Sequence, residues 1–275
     1  MINFTKMHGI GNDFVMVNGF EHQLPEHELR ELAQEMCSRR FGIGSDGLIF
    51  ALPGETEQFR MRMLNPDGSE SEMCGNGIRC LAEFLVDEKL TTEQTIPVET
   101  GAGLLILERQ GDNQVRVDMG LARLNPEEIG MNADGEQWVN QPIEALGETF
   151  HGTAVSMGNP HVVIFVDDVK AVPLEKWGPA LENHPLFPNR VNVHFVQVDS
   201  PTHLTQRTWE RGAGATLACG TGACSVGVAA FLNGKAEHEV TITLPGGDLQ
   251  IEYTPEGRVY MTGPAVTAFR GVWHS

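Results

Sequence analysis

The stretch ACGTGACSVGVAAFL, residues 218–232, places a cysteine directly before Gly-Thr-Gly and a run of small apolar residues. Residues 73–85, MCGNGIRCLAEFL, carry nearly the same phrase 145 residues earlier. In the earlier copy apolar residues recur at i, i+3, i+4 and i+7 from Ile78, and the later copy is apolar on nearly every side. Each phrase therefore predicts a buried helix that begins just after a cysteine, Cys74 in one copy and Cys219 in the other.

The segments around the two phrases are repeated as well, in the same order. Residues 11–17 align with residues 158–164 at an offset of 147, and the strand pattern of residues 59–65 aligns with residues 204–210 at an offset of 145. Ordered matches at a nearly constant offset indicate an internal duplication. We therefore predict an α+β fold of two pseudo-symmetric halves, each a bent, mostly antiparallel sheet wrapped around a central helix.

The duplication also predicts how the chain is divided. The N-terminal half should span residues 1–119 and be joined by a C-terminal strand at 265–275, and the C-terminal half should span residues 120–264. The active site is expected in the cleft between the halves, because small-molecule sites tend to lie between domains.

The composition limits the classes of function. The chain has 275 residues, of which 41% are hydrophobic, and its 37 acidic and 19 basic residues give a net charge of −18. Such a charge disfavours nucleic acid and membrane surfaces as partners. There is no apolar run of spanning length and no secretory signal pattern, and an odd number of cysteines, five, is typical of a reducing compartment. We therefore expect a cytoplasmic protein that acts on a small molecule.

Two motifs resemble sites for a dinucleotide or a metal ion, but their context does not support either. Residues 42–47, GIGSDG, match a dinucleotide fingerprint, but a helical pattern precedes them and a strand pattern follows, the reverse of the order that phosphate binding needs. The cysteine pairs 74/80 and 219/224 lack zinc-knuckle spacing. The sequence predicts neither a metal nor a cofactor, and Cys37, Cys80 and Cys224 are interpreted as buried packing.

Cys74 and Cys219 are the candidate catalytic residues. The first N–H groups of a helix lack partners within it, so a helix start can bind a carboxylate, and its positive end is expected to lower a thiol pKa from about 8.5 toward neutrality. Two such thiols at one carboxylate site can remove a proton from one face of an α-carbon and return another to the opposite face. That chemistry is the racemisation or epimerisation of an amino acid without pyridoxal phosphate, with one sulfur as thiolate and the other as thiol.

The phrases also belong to longer motifs. These are KMHGIGNDF (6–14), NPDGSESEMCGNGIRC (65–80), SMGNPH (156–161) and ERGAGATLACGTGACS (210–225). Together they resemble the diaminopimelate epimerase family over essentially the full length of the chain. The resemblance implies a homodimer that interconverts LL- and meso-2,6-diaminopimelate for lysine and peptidoglycan precursor synthesis, with Cys74 and Cys219 as the two acid/bases.

The resemblance further implies a set of substrate-binding residues. They are Asn12, Asn65, Gly75, Asn76, Asn159, Asn192, Glu210, Arg211, Gly220 and Thr221. By the family pattern the backbone at each helix start holds the carboxylate of the reacting centre, Glu210 suits the distal ammonium and Arg211 the distal carboxylate. His161 is implied to support the reacting centre. Gly47 departs from the family, whose members often have glutamine there, so a side-chain contact at that position is in question.

Two alternatives stay open from the sequence. Proline racemase and hydroxyproline epimerase also use paired cysteines, but their first phrase typically has histidine where Asn76 stands, and they lack the pair Glu210 and Arg211. The chain can also be interpreted as a non-catalytic protein that binds amino acids or senses redox state through a disulfide. Reducing agent separates this last interpretation from the epimerase: it should restore epimerase activity, whereas a redox sensor would show no turnover in either state.

Overall fold

The structure is a computed structural model that describes residues 1–22 and 24–274. The helices are α1 (Glu26–Cys37), α2 (Gly75–Asp87), α3 (Pro126–Ile129), α4 (Leu174–Glu182) and α5 (Gly220–Leu232). The strands are β1 (Ile2–Gly9), β2 (Asn12–Asn18), β3 (Gly47–Pro53), β4 (Phe59–Leu64), β5 (Glu70–Ser71), β6 (Thr95–Thr100), β7 (Gly103–Gly111), β8 (Gln114–Leu121), β9 (Gln141–Ala145), β10 (Glu148–Ser156), β11 (Pro160–Phe165), β12 (Asn192–Ser200), β13 (His203–Glu210), β14 (Gly214–Thr216), β15 (Glu239–Leu244), β16 (Gly247–Tyr253), β17 (Arg258–Pro264) and β18 (Val266–Trp273). Among the helices of these described residues, none has the length and apolar character needed to cross a membrane.

The chain forms two compact units. Unit 1 contains Met1–Val117 together with the C-terminal segment that begins at Thr262, and unit 2 contains Asp118–Met261. The two boundaries fall inside β8 and β17, so each of these strands continues from one unit into the other.

The sheet of unit 1 begins with a hairpin. Strands β1 and β2 pair antiparallel with Gly9 opposite Asn12, and Ile10 and Gly11 turn between them at φ 46° and 87°. Positive φ at both turn residues is typical of a two-residue hairpin loop. Strand β2 then runs parallel to β3, β3 antiparallel to β4, β4 parallel to β6, and β6 antiparallel to β7. The short β5 pairs antiparallel with β4, and the C-terminal strand β18 pairs antiparallel with β1.

The sheet of unit 2 repeats this order of pairings. Strands β10 and β11 are antiparallel, β11 and β12 parallel, β12 and β13 antiparallel, β13 and β15 parallel, and β15 and β16 antiparallel. The short β14 pairs with β13 as β5 pairs with β4. The predicted α+β fold and its internal duplication are therefore confirmed.

Each unit surrounds one of the two predicted helices. Helix α2 packs against β1, β2, β3 and β7, and helix α5 against β10, β11, β12, β15 and β16. Residues 75–85 of α2 are buried, as are residues 222–230 of α5. Packing on several sides explains why these helices lack a broad polar face. Residues 42–46 lie in the connection between α1 and β3, and Gly47 begins β3, as the order of patterns predicted.

The sheet of unit 2 presents different chemistry on its two faces. Val162, Val193 and Phe195 lie in an apolar layer with Leu174 and Leu181 of α4. Alternate residues of a strand point to opposite faces, so the histidines at 161 and 194 lie on the side of α5. This polar layer positions part of the candidate site.

Candidate active site

Cys74 directly precedes the first turn of α2, as the sequence predicted. Its backbone is extended at φ −139° and ψ 119°, and Gly75 begins the helix. A Cβ at Gly77 would lie 2.7 Å from Cδ1 of Ile49, so a larger residue there would have to displace the end of the Ile49 side chain. The thiol is partly exposed, and its sulfur lies 3.6 Å from Oδ1 of Asn12 at the start of β2.

Asn12 connects the thiol to a row of polar side chains. Its Oδ1 also accepts from Nδ2 of Asn76 at 3.0 Å, and its Nδ2 donates to a carboxylate oxygen of Asp46 at 2.7 Å. The other oxygen of Asp46 accepts from Arg39 at 2.6 Å. Because an ionised carboxylate only accepts hydrogen bonds, Asp46 holds the Asn12 amide with its nitrogen inward and its oxygen toward Cys74.

A buried arginine supports the start of α2. Arg79 has no exposed surface and donates to the carbonyl oxygen of Gly75 at 3.0 Å, to Oδ1 of Asn76 at 2.9 Å and to the carbonyl oxygen of Pro264 at 3.3 Å. Its guanidinium therefore fixes the Asn76 amide, whose nitrogen is left to face Asn12. A Cβ at Gly9 would lie 2.8 Å from Nη2 of Arg79, so the β1 backbone closes over this group.

Asn65 and Gly47 have other surroundings in unit 1. Asn65 follows β4 in a turn, where its backbone N–H donates to the carbonyl oxygen of Ser69 at 2.8 Å and its Nδ2 to Oγ of Ser69 at 2.9 Å. Gly47 begins β3, and a Cβ there would lie 2.9 Å from Cε of Met63 and 3.1 Å from the carbonyl oxygen of Leu64. A larger side chain at position 47 would thus need Met63 to move, so the Met63 side chain occupies space that a glutamine would require.

Cys219 precedes α5 in the same way, with an extended backbone at φ −127° and ψ 102°. Its surroundings are drier than those of Cys74, since only 5% of the residue is exposed. The thiol is hydrogen-bonded to the Glu210 carboxylate, the backbone N–H of Gly222 donates to the sulfur, and Oγ1 of Thr221 lies 3.9 Å from it.

The pKa of Cys219 contradicts the expectation from the helix start. Burial and then the negative charge of Glu210 raise this pKa well above the ordinary thiol value, and the hydrogen bonds from Gly222 and Thr221 oppose the shift without cancelling it. The predicted lowering is therefore wrong for Cys219 in this structure. Desolvation disfavours the thiolate, and the carboxylate adds a like charge beside it.

The side chains of Glu210 and Arg211 have different neighbours although the two residues are adjacent in the chain. The carboxylate of Glu210 accepts from Oγ1 of Thr216 at 2.5 Å and lies beside Cys219. This contact places Glu210 next to a candidate reacting thiol, whereas the family pattern suggested the distal ammonium. The exposed side chain of Arg211 donates to the carbonyl oxygen of Asn189 at 3.2 Å.

Asn192 links the start of β11 to the residue that follows β13 by hydrogen bonds to their backbones. Its Oδ1 accepts from the backbone N–H of Arg211 at 2.9 Å, and its Nδ2 donates to the carbonyl oxygen of Pro160 at 2.9 Å. The residue is buried, with 4% of its surface exposed. Both ends of the amide are therefore engaged by backbone, which holds the end of β13 next to the start of β11.

Asn159 and His161 begin a row of buried hydrogen bonds in unit 2. Nδ2 of Asn159 lies 3.4 Å from Oγ1 of Thr221, and its Oδ1 lies 2.9 Å from Nε2 of His161. Nδ1 of His161 lies 2.9 Å from Nε2 of His194, and Nδ1 of His194 lies 2.9 Å from Oγ1 of Thr208. Neither imidazole is exposed.

Both imidazoles are neutral at physiological pH. Burial lowers the pKa of His194 to about 3. Burial lowers the pKa of His161 well below its ordinary value, and repulsion from His194, where that ring is protonated, and from Arg211 acts in the same direction. His161 is thus a neutral hydrogen-bonding group in this structure and carries no positive charge.

The structure therefore groups most of the predicted residues around the two helix starts. Cys74, Gly75, Asn76 and Asn12 are brought together in unit 1. The residues that surround the start of α5 in unit 2 are Cys219, Gly220, Thr221, Asn159, His161, Asn192, Glu210 and Arg211. Within the described residues no three His, Cys, Asp or Glu side chains are arranged to hold a metal ion.

Three further residues support the two helix starts and were not predicted from the sequence. Asp46, Arg79 and His194 were not singled out, although each leaves a signal in the sequence. Arg79 interrupts an apolar helical pattern, His194 stands two residues after Asn192 on the same strand face, and Asp46 lies in the turn that precedes a strand. A charged or polar residue at a position that the pattern buries calls for a partner.

Solved structures with this fold place the chain in a general class. The chain is similar to a phenazine biosynthesis protein of the PhzF family from Enterococcus faecalis, with a TM-score of 0.76 and 17% identity over 100% of both chains. It is also similar to a hydroxyproline epimerase from Agrobacterium vitis, with a TM-score of 0.68 and 15% identity over 98% of this chain and 90% of that one. At these identities the likeness shows the fold: a duplicated α+β protein of the type found in PhzF proteins and amino-acid epimerases.

The particular family follows from sequence. The profile described as Diaminopimelate epimerase matches residues 4–125 and 153–268. A curated relative, the diaminopimelate epimerase of Moorella thermoacetica, is 53% identical over 275 residues, covering 98% of each chain. The chain belongs to the diaminopimelate epimerase family.

Proposed function

We propose that this protein is an isomerase that converts LL-2,6-diaminopimelate to meso-diaminopimelate by a two-base mechanism without a cofactor. Cys74 and Cys219 are the two bases, each serving one face of the α-carbon. The observation that carries the proposal is a repeated arrangement: in each unit a cysteine precedes a buried, glycine-led helix, and an asparagine from the equivalent hairpin, β1–β2 or β10–β11, lies beside the helix start. Membership of the family adds the substrate.

In this mechanism one sulfur begins as thiolate and takes the α-proton, while the other begins as thiol and gives its proton to the opposite face. The carboxylate of the reacting centre is held by the free N–H groups at Gly75-Asn76 and Gly220-Thr221. Those donors stabilise the charge that builds on the carboxylate as the α-carbon loses its proton. In the reverse reaction the two sulfurs exchange roles.

Glu210 enters the mechanism through its contact with Cys219. A carboxylate beside a thiol disfavours the thiolate. Cys219 therefore keeps its proton until a positive group, or protonation of the carboxylate, offsets the negative charge of Glu210. The ammonium group of an amino-acid substrate carries such a charge and suits the Glu210 carboxylate. Substrate binding is therefore expected to lower the pKa of Cys219 relative to the free protein.

The remaining assignments follow the family pattern. Asn12, Asn65, Asn159, Asn192 and Arg211 are proposed substrate-binding residues, with Arg211 suited to the distal carboxylate because its exposed guanidinium offers a planar pair of donors. Substrate binding removes water from these polar groups, so the site should reject substrates that lack the second amino-acid end, since the groups that bind this end would then remain unpaired. We also propose a cytoplasmic homodimer that serves lysine and peptidoglycan precursor synthesis, which light scattering and cell fractionation can test.

The test is proton exchange. The reduced protein, incubated with LL-diaminopimelate in D2O without added cofactor, should incorporate α-deuterium and form the meso isomer. Proline and hydroxyproline are run in parallel, and inversion of either in place of diaminopimelate would favour the alternative racemase activity. Absence of exchange with all three substrates by the folded, reduced protein would falsify the proposal.

Matched cysteine variants assign the bases. Cys74→Ala and Cys219→Ala should each lower the rate of epimerisation at least about a hundredfold, because each face loses its own proton carrier. Cys80→Ala and Cys224→Ala lie later in the same two helices, where both residues are fully buried, and they should retain epimerisation. Equal losses in all four variants would mean that helix packing, and not the thiol at each helix start, controls the rate.

A further inference from the structure

The polar layer of unit 2 forms a continuous row of hydrogen bonds that ends at the start of α5. Gln206 begins the row: its Nε2 lies 2.9 Å from Oγ1 of Thr208 and 3.3 Å from Nδ1 of His194. The row continues through Thr208, His194, His161 and Asn159 to Thr221, by the contacts described above. Thr208 and His194 are directly opposite each other on β13 and β12.

The hydrogen bonds of this row can run from donor to acceptor in only one direction at a time. A neutral imidazole has one N–H donor and one bare nitrogen, so each ring donates on one side and accepts on the other. The lowered pKa values of His161 and His194 keep both rings neutral at physiological pH. The direction at one end of the row therefore determines the tautomer of both rings.

Gln206 determines that direction. Its Oε1 is buried and has no hydrogen-bond partner within the described part of the chain, whereas its Nε2 has two neighbours that can accept. Turning the amide over would leave its N–H donors buried without partners, and orphaned buried N–H groups are rarer than under-satisfied carbonyl groups. Gln206 therefore donates one N–H to Oγ1 of Thr208 and presents the other to Nδ1 of His194, so Nδ1 is the ring nitrogen without a hydrogen.

The direction then passes through both rings. With Nδ1 accepting, His194 carries its hydrogen on Nε2 and donates it to Nδ1 of His161. His161 in turn carries its hydrogen on Nε2 and donates to Oδ1 of Asn159. The nitrogen of the Asn159 amide is left to face Thr221 at the start of α5.

We propose that His194 is a positioning residue, which fixes His161 as the Nε2–H tautomer and so turns the N–H groups of Asn159 toward the start of α5. The inference rests on the proposed function, in which that helix start holds the carboxylate of the substrate. A carboxylate needs donors, and a reversed Asn159 amide would present an oxygen to it. His194 acts through His161 and Asn159 and need not touch the substrate itself.

The packing around His194 leaves the ring a single position. A Cβ at Gly222 would lie 2.3 Å from Cε1 and 3.0 Å from Nε2 of His194, so the first turn of α5 lies directly on the imidazole. The same Cβ would lie 2.9 Å from the sulfur of Cys219. The ring therefore packs against the first turn of α5, close to the candidate catalytic Cys219.

The tautomers can be measured directly. Protein labelled with ¹⁵N in its histidines is examined without substrate at neutral pH by long-range ¹H–¹⁵N correlation, which reports the ring nitrogen that carries the hydrogen. His161→Gln and His194→Gln assign the two sets of signals by their disappearance. Both rings should carry hydrogen on Nε2, and hydrogen on Nδ1 of His161 would overturn the inference.

Two substitutions at one position separate positioning from packing. His194→Leu removes the donor to His161, so the His161 signals should become a mixture of tautomers and kcat/KM should fall about tenfold. His194→Gln retains an N–H donor near the place of Nε2, so it should keep the single tautomer and restore kcat/KM to within about threefold of the wild type. An equal loss in both variants would contradict a role in hydrogen-bond direction.

A matched control and the wild type complete the test. Val193→Ala changes the next residue of β12, whose side chain lies in the apolar layer on the other face, and it should destabilise the protein without changing the tautomers. If His194→Leu does not fold, the wild-type tautomers and His194→Gln still decide. A wild type that has the expected tautomers but does not epimerise diaminopimelate would refute the proposed function and not the tautomer assignment.

Discussion

Acidification should destabilise the protein through His194. This imidazole is fully buried, and burial lowers its pKa to about 3 in the folded state. In the unfolded chain a histidine titrates near pH 6.5. Between these two values the unfolded state binds a proton that the folded state does not, so the free energy of unfolding falls as the pH falls.

The size of the effect follows from the two pKa values. At about pH 5 the unfolded histidine is almost fully protonated and the folded one almost fully neutral, which costs about 2 kcal/mol of unfolding free energy relative to about pH 7.5. His161 adds a loss of the same sign, because burial also lowers its pKa. A loss of this size is a substantial part of the stability of an ordinary domain.

The assay compares pH dependence in two proteins. Urea unfolding at about pH 7.5 and about pH 5 gives the loss for the wild type, and the same pair of measurements on His194→Gln gives the loss without the titrating ring. The wild type should lose about 2 kcal/mol more than the variant, since carboxylates and the other histidines contribute to both. Equal losses in the two proteins would refute the buried, neutral state of His194.

Three further predictions use the same two units. Gly222→Ala should lower the free energy of unfolding by about 1–3 kcal/mol, because its Cβ would lie 2.3 Å from the rigid His194 ring; Gly77→Ala at the repeated position meets only the end of a flexible side chain and should cost less in thermal or urea unfolding. Arg79→Met should cost about 3 kcal/mol in urea unfolding, because it leaves two buried acceptors and the partly buried carbonyl of Pro264 without their donor. Alkylation of Cys219 by iodoacetamide in the free protein, followed by peptide mass spectrometry, should still become faster with rising pH at about pH 9, and a rate that levels off near neutrality would contradict its raised pKa.

The helices and strands that carry the site could be predicted because their signals are local. Two copies of a cysteine–glycine phrase precede apolar runs of helical length, and both helices begin at the glycine after the cysteine. Helix α4 was not predicted: Leu174, Trp177 and Leu181 recur at helical spacing, but the segment is only nine residues long and Pro179 lies inside it. Its place is determined by the apolar layer of the sheet, which is a tertiary contact.

The chemistry of the site was less predictable than its position. The pKa of Cys219 depends on burial and on Glu210, which approaches from the end of β13, and neither is visible in the residues next to the cysteine. The helix start alone predicted the opposite direction. His194 was missed for a similar reason, because its partners come from β11 and β13 and only the strand register brings them together.

The duplication predicts where the two repeated asparagines lie but not how their side-chain amides are oriented. Asn12 and Asn159 are equivalent in the repeat, yet the Asp46 carboxylate draws the nitrogen of Asn12 inward and leaves its oxygen for Cys74. At Asn159 the inward neighbour is His161, which lies at Oδ1, so the nitrogen faces the helix start instead. An amide is symmetric in shape but not in hydrogen bonding, so one change in its inner neighbour reverses what it presents to a thiol or a substrate. Two helix starts built from the same phrase can therefore have an acceptor beside one and a donor beside the other, a difference that suits the proposed mechanism, in which one sulfur holds a proton while the other accepts one.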